Sequence, residues 1–449
     1  MYNITKYVRI SVDMDRKYQT IDGFGVNINS KYWNNGKLKP VMDLLIDDLG
    51  ANLYRLDHYG KSNWMDPENR YDARVLTQEN FDRVYEGIDF KNAEAMGRYL
   101  NSKGIEPYIT LSGIVPKWMC AEDGKTLEKY EEFAEMAANY AHWARHKAGI
   151  KYSLFGPLNE TDVGPPEGPK VNAREYVKVC EILVDKLDKY GLGDIKLVVA
   201  EQAHYNLDYA REFLKSKKLV GRVGVFGMHC YSDFRCNDLL EMVGKSDYKD
   251  CRIWMSEFGD LDQSSEKEWL IAYISFQRLM RLLEDGMNGA ISWDAYDNYH
   301  DHDETWTTFG IIKNAWDVYE PKKRYFGYKQ IFRYVRPGFR RIHAESPVDG
   351  VKVLAFESPD GKDVTVVGMN DLLEDVFVNV DVAQIGTAHT GWAQAGGKYS
   401  ESMFSVYRTT FAEDCITVTP KRIMQRRLPF SGVEVVVPSK GIFTVTTVK

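Results

Sequence analysis

The chain lacks the features of a membrane protein, a small disulfide-rich domain or a metal-binding module. Nowhere do its 449 residues approach the roughly 20 apolar residues in a row that a transmembrane helix needs. Its first residues contain no apolar run typical of a signal peptide. The six cysteines are scattered and form no CxxC pair, which argues against zinc and thioredoxin-like sites. We therefore expect a cytoplasmic protein with reduced thiols and no membrane association; the alternative is a secreted protein whose signal peptide has been removed.

A strong charge of either sign is also missing. The formal net charge is -7, from 58 basic and 65 acidic residues, and no dense basic run stands out. Proteins that bind nucleic acid or anionic membranes need an excess of basic residues, so neither partner is expected. No internal repeat or low-complexity linker is present, which excludes solenoid architectures. Nothing in the sequence indicates an oligomeric state.

Apolar and aromatic residues are plentiful. Hydrophobic residues make up 44% of the chain, enough for a large core, and aromatic residues make up 13%. Many aromatic residues fall in segments that we interpret as loops, where a ring could stack on the apolar face of a sugar. Large aromatic side chains also dominate ordinary protein cores, so composition leaves both interpretations open.

Short apolar runs alternate with longer amphipathic stretches up to about residue 335. Several runs are apolar throughout, as strands of a buried parallel sheet are. The predicted strands are 23–29, 51–56, 105–111, 152–158, 195–199, 222–229, 252–256 and 289–293. Helices are predicted over 89–100, 128–148, 173–189 and 266–283. This alternation predicts an α/β fold, a (β/α)8 TIM barrel.

A doubly wound open sheet is the main alternative to the barrel. It would usually place a glycine-rich phosphate-binding turn between the first strand and a helix. Gly23 and Gly25 instead lie inside the first predicted strand and open no helix.

The pattern changes after Pro337, where short segments rich in β-branched residues are separated by turn signals. These segments are 351–357, 363–368, 376–382, 415–419, 433–437 and 442–448. They predict an appended antiparallel β-sandwich domain. We expect residues 1–15 to add an N-terminal strand to this sandwich, 16–337 to form the catalytic barrel, and 338–449 to form the C-terminal sandwich.

Two carboxylates follow predicted barrel strands. Glu160 comes after the fourth strand and Glu257 after the seventh. Active sites of such barrels lie at the carboxyl ends of the strands, and these two strands face each other across the barrel. Glycoside hydrolysis needs two carboxyl groups, about 5–5.5 Å apart when configuration is retained. An aldolase would need a lysine at a strand end, and a metal-dependent hydrolase would need His-x-His where the first strand has Asn27-Ile28-Asn29.

The pair resembles clan A glycoside hydrolases, which carry Asn-Glu after the fourth strand and a second Glu after the seventh. This resemblance implies that Glu160 is the general acid/base and that Glu257 is the nucleophile. It also implies that Asn159 contacts the sugar 2-hydroxyl. Such enzymes need no metal and no cofactor, so we expect neither.

Within the clan, the chain resembles glycoside hydrolase family 30 over nearly its whole length. The segment 19–25 (Gln-Thr-Ile-Asp-Gly-Phe-Gly) resembles that family's first strand, and 116–119 (Pro-Lys-Trp-Met) resembles the segment after its third. Residues 325–338 resemble its last helix and the exit into the sandwich. The end of the seventh strand, Ser-Glu-Phe-Gly at 256–259, differs from the Thr-Glu-Trp or Ser-Glu-Tyr ending of the family.

The resemblance implies roles for further residues at strand ends. Arg55 would hold the nucleophile in its ionised form. Tyr231 would donate a hydrogen bond to Glu257, while His229 could contact substrate or be a core histidine. Trp293 would lie beneath the sugar.

Other polar and aromatic residues follow strand ends and could line sugar subsites or simply pack. These are Trp33, His58, Tyr59, Trp64, Trp118, His204, Tyr205, Tyr296 and Trp306. The acidic and histidine-rich run 297–304 is typical of a metal site on paper. We interpret it instead as a solvated loop in which His300 and Asp301 could contact sugar.

The sequence therefore predicts a retaining β-glycoside hydrolase whose partner is a carbohydrate. The absence of a signal peptide favours exo action on short oligosaccharides or small glycosides. Loops 60–74 and 294–308 are expected to close one end of the cleft. The resemblance implies β-glucosides including glucosylceramide, β-1,6-glucan, β-1,6-galactan, xylan, β-xylosides or β-fucosides as substrates. The alternatives are an endo-acting β-glycanase and an inactive carbohydrate-binding homologue.

Overall fold

A closed barrel and a separate sheet make up the protein. The computed structural model describes residues 4–58, 74, 76–260, 268–298, 309–315, 318–382, 399–419 and 432–449. The chain begins with β1 (Ile4–Thr20), which belongs to the sheet. Eight parallel strands then close the barrel, in chain order and with the last paired to the first. They are β2 (Gly23–Asn29), β3 (Leu53–His58), β4 (Tyr108–Leu111), β5 (Leu154–Gly156), β6 (Lys196–Ala200), β7 (Val223–Cys230), β8 (Arg252–Phe258) and β9 (Gly289–Ser292).

All eight predicted barrel strands are present, which confirms the barrel. Except for β2, their ends differ from the predicted ends, and β8 continues through Glu257 to Phe258. The described strands are almost wholly buried, because helices cover them on the outside while side chains fill the interior. This is why uninterrupted apolar runs identified them.

Helices surround the barrel. They are α1 (Lys39–Asp43), α2 (Gln78–Tyr85), α3 (Ile88–Ser102), α4 (Tyr130–His142), α5 (Ala173–Lys189), α6 (Leu207–Phe213), α7 (Asn237–Gly244), α8 (Glu268–Asp285) and α9 (Lys323–Phe332). The four predicted helices correspond to α3, α4, α5 and α8. The short helices α1, α2, α6 and α7 were not predicted, because eight residues or fewer give too few apolar repeats to recognise.

A small sheet follows the last barrel strand. It consists of β10 (Tyr296–Asn298), β11 (Ile312–Ala315) and β12 (Val318–Pro321), in that order. β10 pairs parallel with β11, and β11 pairs antiparallel with β12.

The appended domain is one nine-stranded sheet. Besides β1 it contains β13 (Arg340–Glu345), β14 (Val351–Glu357), β15 (Val364–Asn370), β16 (Asp375–Val380), β17 (Ser405–Thr410), β18 (Glu413–Thr417), β19 (Val433–Val437) and β20 (Ile442–Thr446). The strand order is β18-β17-β20-β15-β14-β13-β1-β16-β19. β1 is antiparallel to β13 but parallel to β16, so the predicted antiparallel pattern is broken at this one described pair.

The sheet curls so that its two halves bury one apolar core. Val378 of β16 and Val445 of β20 lie far apart in the strand order, yet both belong to the same cluster as Val8 of β1. Arg408 of β17 donates a 2.6 Å hydrogen bond to the carbonyl of Val436 in β19, near the opposite end of the order. A single continuous sheet therefore forms both layers of the predicted sandwich.

Helix α9 connects the barrel to the curled sheet. Phe332 stacks on Phe24 of β2 with ring centroids 5.2 Å apart. On another side of the helix, Gln330 donates a 2.8 Å hydrogen bond to Thr409 of β17. Residues of both parts join one apolar cluster around this helix. In the described ranges, no helix is both long enough and apolar enough to cross a membrane.

Replacing Phe24 tests this junction. Phe24 is fully buried, so Phe24→Ala removes a ring and leaves a cavity, with an expected loss of about 3–5 kcal/mol in unfolding free energy. Leu373→Ala is the control: Leu373 is 90% exposed, and its loss should stay within about 0.5 kcal/mol. Urea unfolding of both variants makes the comparison, and equal losses would contradict the assigned packing.

Candidate active site

Polar side chains converge at the carboxyl ends of the barrel strands. The structure brings together six of the predicted residues near the carboxyl ends of strands: Arg55, Asn159, Glu160, His229, Tyr231 and Glu257. Arg55 was predicted at a strand end, but it lies inside β3, which continues to His58. The six residues come from β3, β5, β7 and β8, which are far apart in sequence. The barrel's closure is what makes them neighbours.

His229 lies between the two carboxylates. Its Nδ1 is 2.6 Å from Oε1 of Glu160 and 3.3 Å from Oε2 of Glu257. This nitrogen and one oxygen of each carboxylate lie within 4.8 Å of one another. His229 pairs with Glu257 across β7 and β8, directly after a register shift that follows Met228. Such irregularities redirect side chains, and this one turns both residues to the same site.

Arg55 connects three polar residues of the site. Its guanidinium has no exposed surface and contacts a carboxylate oxygen of Glu257. It also donates to Oδ1 of Asn27 at 2.9 Å and to Oδ1 of Asn159 at 2.6 Å. Because the guanidinium is planar and always charged, these contacts set the positions of all three partners.

Glu257 receives a donor on each oxygen. Arg55 contacts Oε1, and the Tyr231 hydroxyl donates to Oε2 at 2.7 Å. Burial raises the pKa of Glu257 above its ordinary value, while His229, Arg55 and Tyr231 favour its ionised form. The permanent cation gives Glu257 a partner that cannot lose its charge.

Glu160 depends on a titratable partner instead. Burial alone would raise its pKa, but the hydrogen bond and charge of His229 outweigh burial and lower it. For His229, burial would lower the pKa, but Glu257 and Glu160 together raise it. Glu160 and His229 therefore each favour the charged form of the other, a carboxylate beside an imidazolium.

The backbone at two strand ends adopts a left-handed conformation. Glu160 has φ 43°, Ala200 has φ 79° and Glu201 has φ 22°, although none of them is glycine. Such conformations are costly for residues with a Cβ and concentrate at functional sites. The amide of Glu160 donates a 2.9 Å hydrogen bond to the carbonyl of Glu201, which joins these two strained turns.

Other predicted subsite residues lie farther from the carboxylates. His204 is mostly exposed, and its Nδ1 is 3.2 Å from Asp162. Tyr205 donates to Asp238 and stacks on Phe234, with centroids 4.4 Å apart. Both residues follow β6, on the side of the site where Glu160 lies.

The tryptophan and tyrosine residues that were predicted to contact sugar lie at the barrel rim or in the core. Trp118 lies half-buried in a short 3-10 helix, Lys117–Met119, and Trp293 follows β9 directly and is also half-buried. Tyr296 is buried and packs edge-on against Tyr32, at 5.1 Å between centroids. Trp33 is buried as well.

Several predicted loop residues lie outside the described part of the chain. Tyr59, Trp64, His300, Asp301 and Trp306 are among them, as are most of the loops 60–74 and 294–308 and nearly all of the run 297–304. The side chain of His58 is not described either.

Two polar residues of the site were missed by the sequence analysis. Asn27 accepts from Arg55 and donates to the carbonyls of Ser256, at 3.1 Å, and Ser292, at 3.3 Å. Glu201 is fully buried beside Arg55. A signal was present for Glu201, since it is a carboxylate two residues after the apolar run 195–199, as Glu160 is after 152–158. Asn27 gave no such signal, because an amide inside a strand is common.

The cluster of Glu160, His229 and Glu257 also has donor atoms of the kind that bind metal ions. Arg55 contacts Glu257 directly, and its fixed positive charge opposes a cation at this position. The raised pKa of His229 opposes it further, because histidine binds metal ions as the neutral imidazole.

An NMR titration of the histidines tests whether the pKa of His229 is raised. His229 should titrate above the ordinary value of about 6.5, because two carboxylates surround it. His142, whose pKa is lowered by burial and by His146, should titrate below that value in the same spectra. His229→Gln assigns the resonance. If His229 titrates below His142, the two carboxylates do not raise its pKa and its ring is neutral near pH 7.

No protein-family model matches the sequence, and no curated protein matches it. Solved structures do match. A glycoside hydrolase family 30 subfamily 8 xylanase from Clostridium acetobutylicum has 16% identity and a TM-score of 0.70, with 98% of this chain and 99% of that chain covered. The catalytic domain of the family 30 xylanase C from Talaromyces cellulolyticus has 15% identity and a TM-score of 0.72, with the same coverage.

An endo-β-1,6-glucanase is also similar, at 15% identity and a TM-score of 0.69, with 98% of this chain and 94% of that chain covered. These likenesses extend over the barrel and the appended sheet together. At such low identity they establish the shared fold.

Proposed function

We propose that the protein is a retaining β-glycoside hydrolase. The observation that carries this proposal is the pairing of Glu160 and Glu257, whose nearest described carboxylate oxygens lie within 4.8 Å. Retaining enzymes hold their carboxyl groups about 5–5.5 Å apart, and inverting enzymes about 6.5–9.5 Å apart to admit a water. The observed spacing favours direct attack by a carboxylate on the sugar. The shared fold with family 30 xylanases supports the same class.

Glu257 is the proposed nucleophile. Arg55 and Tyr231 stabilise its carboxylate, so it can attack the anomeric carbon as that carbon's bond to the aglycone oxygen breaks. The products of this step are a covalent glycosyl ester on Glu257 and the released aglycone.

Glu160 is the proposed acid/base. Its Oε1 lies 2.6 Å from Nδ1 of His229, a group that can hold the proton before a sugar binds. Sugar binding displaces water and increases the burial of Glu160, which moves the proton toward its carboxylate. Glu160 then protonates the departing aglycone oxygen.

The second step uses the same groups with a changed charge. Once Glu257 is an ester, its negative charge no longer raises the proton affinity of its neighbours. Glu160 is then better able to remain ionised and to take a proton from water, which attacks the anomeric carbon and releases Glu257.

The proposed substrate is a β-linked sugar, cleaved from the end of short oligosaccharides or small glycosides. The titles of the similar structures name xylanases and an endo-β-1,6-glucanase. Xylan and β-1,6-glucan are therefore the first polymers to test. Internal cleavage of either polymer would replace exo action by endo action without changing the proposed chemistry.

Amide variants of the two carboxylates test the assigned roles. Glu257→Gln should abolish turnover of every glycoside, because no nucleophile remains. Glu160→Gln should slow alkyl glycosides by about 10²–10⁴-fold, since their poor leaving groups need acid assistance. Formation of the glycosyl-enzyme from a dinitrophenyl glycoside should be nearly unaffected, because that leaving group needs no proton.

Glu86→Gln is the matched control for both variants, since Glu86 is 77% exposed and remote from the site. Leaving-group dependence, measured with an alkyl and a dinitrophenyl glycoside of the same sugar, separates the two roles. If Glu160→Gln slows formation of the glycosyl-enzyme equally from both substrates, the acid/base assignment is wrong. If Glu257→Gln retains the wild-type rate, the nucleophile assignment is wrong.

The anomer of the first product tests retention. We expect proton NMR to show the β-anomer first, followed by mutarotation, because double displacement inverts the anomeric centre twice. The reaction is run on aryl β-glucoside, β-xyloside, β-galactoside and β-fucoside, and on xylan and β-1,6-glucan. An initial α-anomer would contradict the mechanism, and sugar binding without any turnover would indicate a carbohydrate-binding protein.

A further inference from the structure

We propose that Glu201 is a positioning residue for both glutamates of the site. Its carboxylate holds Arg55 in place and its backbone carbonyl holds the turn that carries Glu160. The inference rests on the proposed function, because its consequences are read through glycoside hydrolysis. Neither the two-carboxylate mechanism nor the resemblance requires a third carboxylate at this position.

The carboxylate of Glu201 is fully buried against two polar side chains. The Tyr108 hydroxyl donates a hydrogen bond to its Oε2. Its Oε1 lies 3.8 Å from Nε of Arg55, an ion-pair distance slightly longer than a hydrogen bond. Neither of these two atoms has a hydrogen-bond partner among the described residues. A buried charge without solvent is retained only beside an opposite charge, so each of these groups depends on the other.

Arg55 is therefore contacted by carboxylates on two sides. Glu201 faces its Nε, and Glu257 contacts its Nη1. With Glu201 in place, the guanidinium is held by its inner edge while its outer nitrogens reach Glu257 and Asn159. The Tyr108 ring, whose centroid is 5.9 Å from Cζ of Arg55, also faces the guanidinium, so Glu201 and Tyr108 together fix its orientation.

The backbone of Glu201 supports the other glutamate. Its carbonyl accepts the 2.9 Å hydrogen bond from the amide of Glu160, and its own amide donates to the carbonyl of Gly227 at 3.1 Å. Glu160 and Glu201 both have positive φ, so this hydrogen bond joins two strained residues. Strain of this kind persists only where surrounding contacts enforce it.

The neighbouring strand leaves room for this side chain. A Cβ on Gly227 would lie 2.9 Å from Cγ of Glu201 and 2.7 Å from Oγ of Ser256. Contacts below 3.0 Å cannot be tolerated without movement, so β7 accommodates Glu201 only because this residue is glycine.

The charge of Glu201 acts on the site through Arg55. The titratable groups that face Glu201 are Arg55, Tyr108 and Tyr176, and the pair Glu257 and His229 lies beyond Arg55. Without Glu201 the guanidinium is held less firmly against Glu257, so its charge favours the ionised carboxylate less. The pH at which Glu257 ionises should then rise. The acidic limb of the pH profile should therefore move to higher pH.

A purely structural ion pair would behave differently. Its loss would lower stability and the amount of folded enzyme, but the pH limbs of the remaining activity would stay in place. The pH profile therefore separates positioning of the reacting groups from support of the fold.

The decisive variant is Glu201→Gln, which keeps the size of the side chain and removes its charge. We expect kcat/KM to fall at least tenfold on the best aryl β-glycoside, and the acidic limb of the kcat/KM profile to shift by at least half a pH unit to higher pH. Glu201→Asp should restore that limb toward its wild-type position, because it restores the charge. Glu86→Gln is the control and should match wild type in rate and profile.

Unchanged limbs in folded Glu201→Gln, with kcat/KM within threefold of wild type, would overturn the proposal. Unchanged limbs with a larger loss would also overturn it, in favour of a structural role. If Glu201→Gln does not fold, Tyr108→Phe is the deciding variant, because it removes the hydrogen-bond donor to Glu201 without changing any charge. A fall in kcat/KM of fivefold or more, together with a shifted pH profile, supports the proposal. A wild-type rate and pH profile overturn it. A wild-type enzyme inactive on every glycoside would instead refute the proposed function.

Discussion

The burial of one guanidinium constrains the whole candidate site. Arg55 has no exposed surface, so each of its nitrogens must face a group that compensates for lost water. Those groups are Glu257, Asn27, Asn159 and Glu201, from four different places in the barrel. A shift of any one strand relative to β3 would leave a charge or an amide buried without its partner. The polar network therefore requires the register that the apolar packing produces.

The barrel and the curled sheet contribute to this constraint in different ways. Closure of the barrel brings the carboxyl ends of β3, β5, β7 and β8 into one site, with irregular register where His229 meets Glu257. The curled sheet contributes none of the described site residues. It packs through α9 against β2, whose Phe24 lies in the same strand as Asn27. The curled sheet therefore supports the site indirectly, through β2, the strand that supplies Asn27 as a partner of Arg55.

Features with a local physical cause were predictable from the sequence, and features that depend on distant partners were not. Buried strands such as β2 and β19 have unbroken or alternating apolar patterns, and their predicted bounds match the structure. The parallel pairing of β1 with β16 depends on contacts between opposite ends of the chain, which no local pattern encodes. Glu160 and Glu257 were found because each ends an apolar run. The importance of Asn27 depends entirely on Arg55, a partner on the neighbouring strand.

In the proposed mechanism, the division of labour between the glutamates follows from the kinds of partner they have. Glu257 is bound by Arg55, which keeps its charge at every accessible pH, so its carboxylate is stabilised whenever it is free to attack. Glu160 is bound by His229, which can take up or release a proton near neutrality. A nucleophile must be ionised each time a substrate binds, whereas an acid that later becomes a base needs a partner whose charge can change. Because His229 also lies 3.3 Å from Glu257, loss of charge on Glu257 is transmitted to Glu160 through a single imidazole ring.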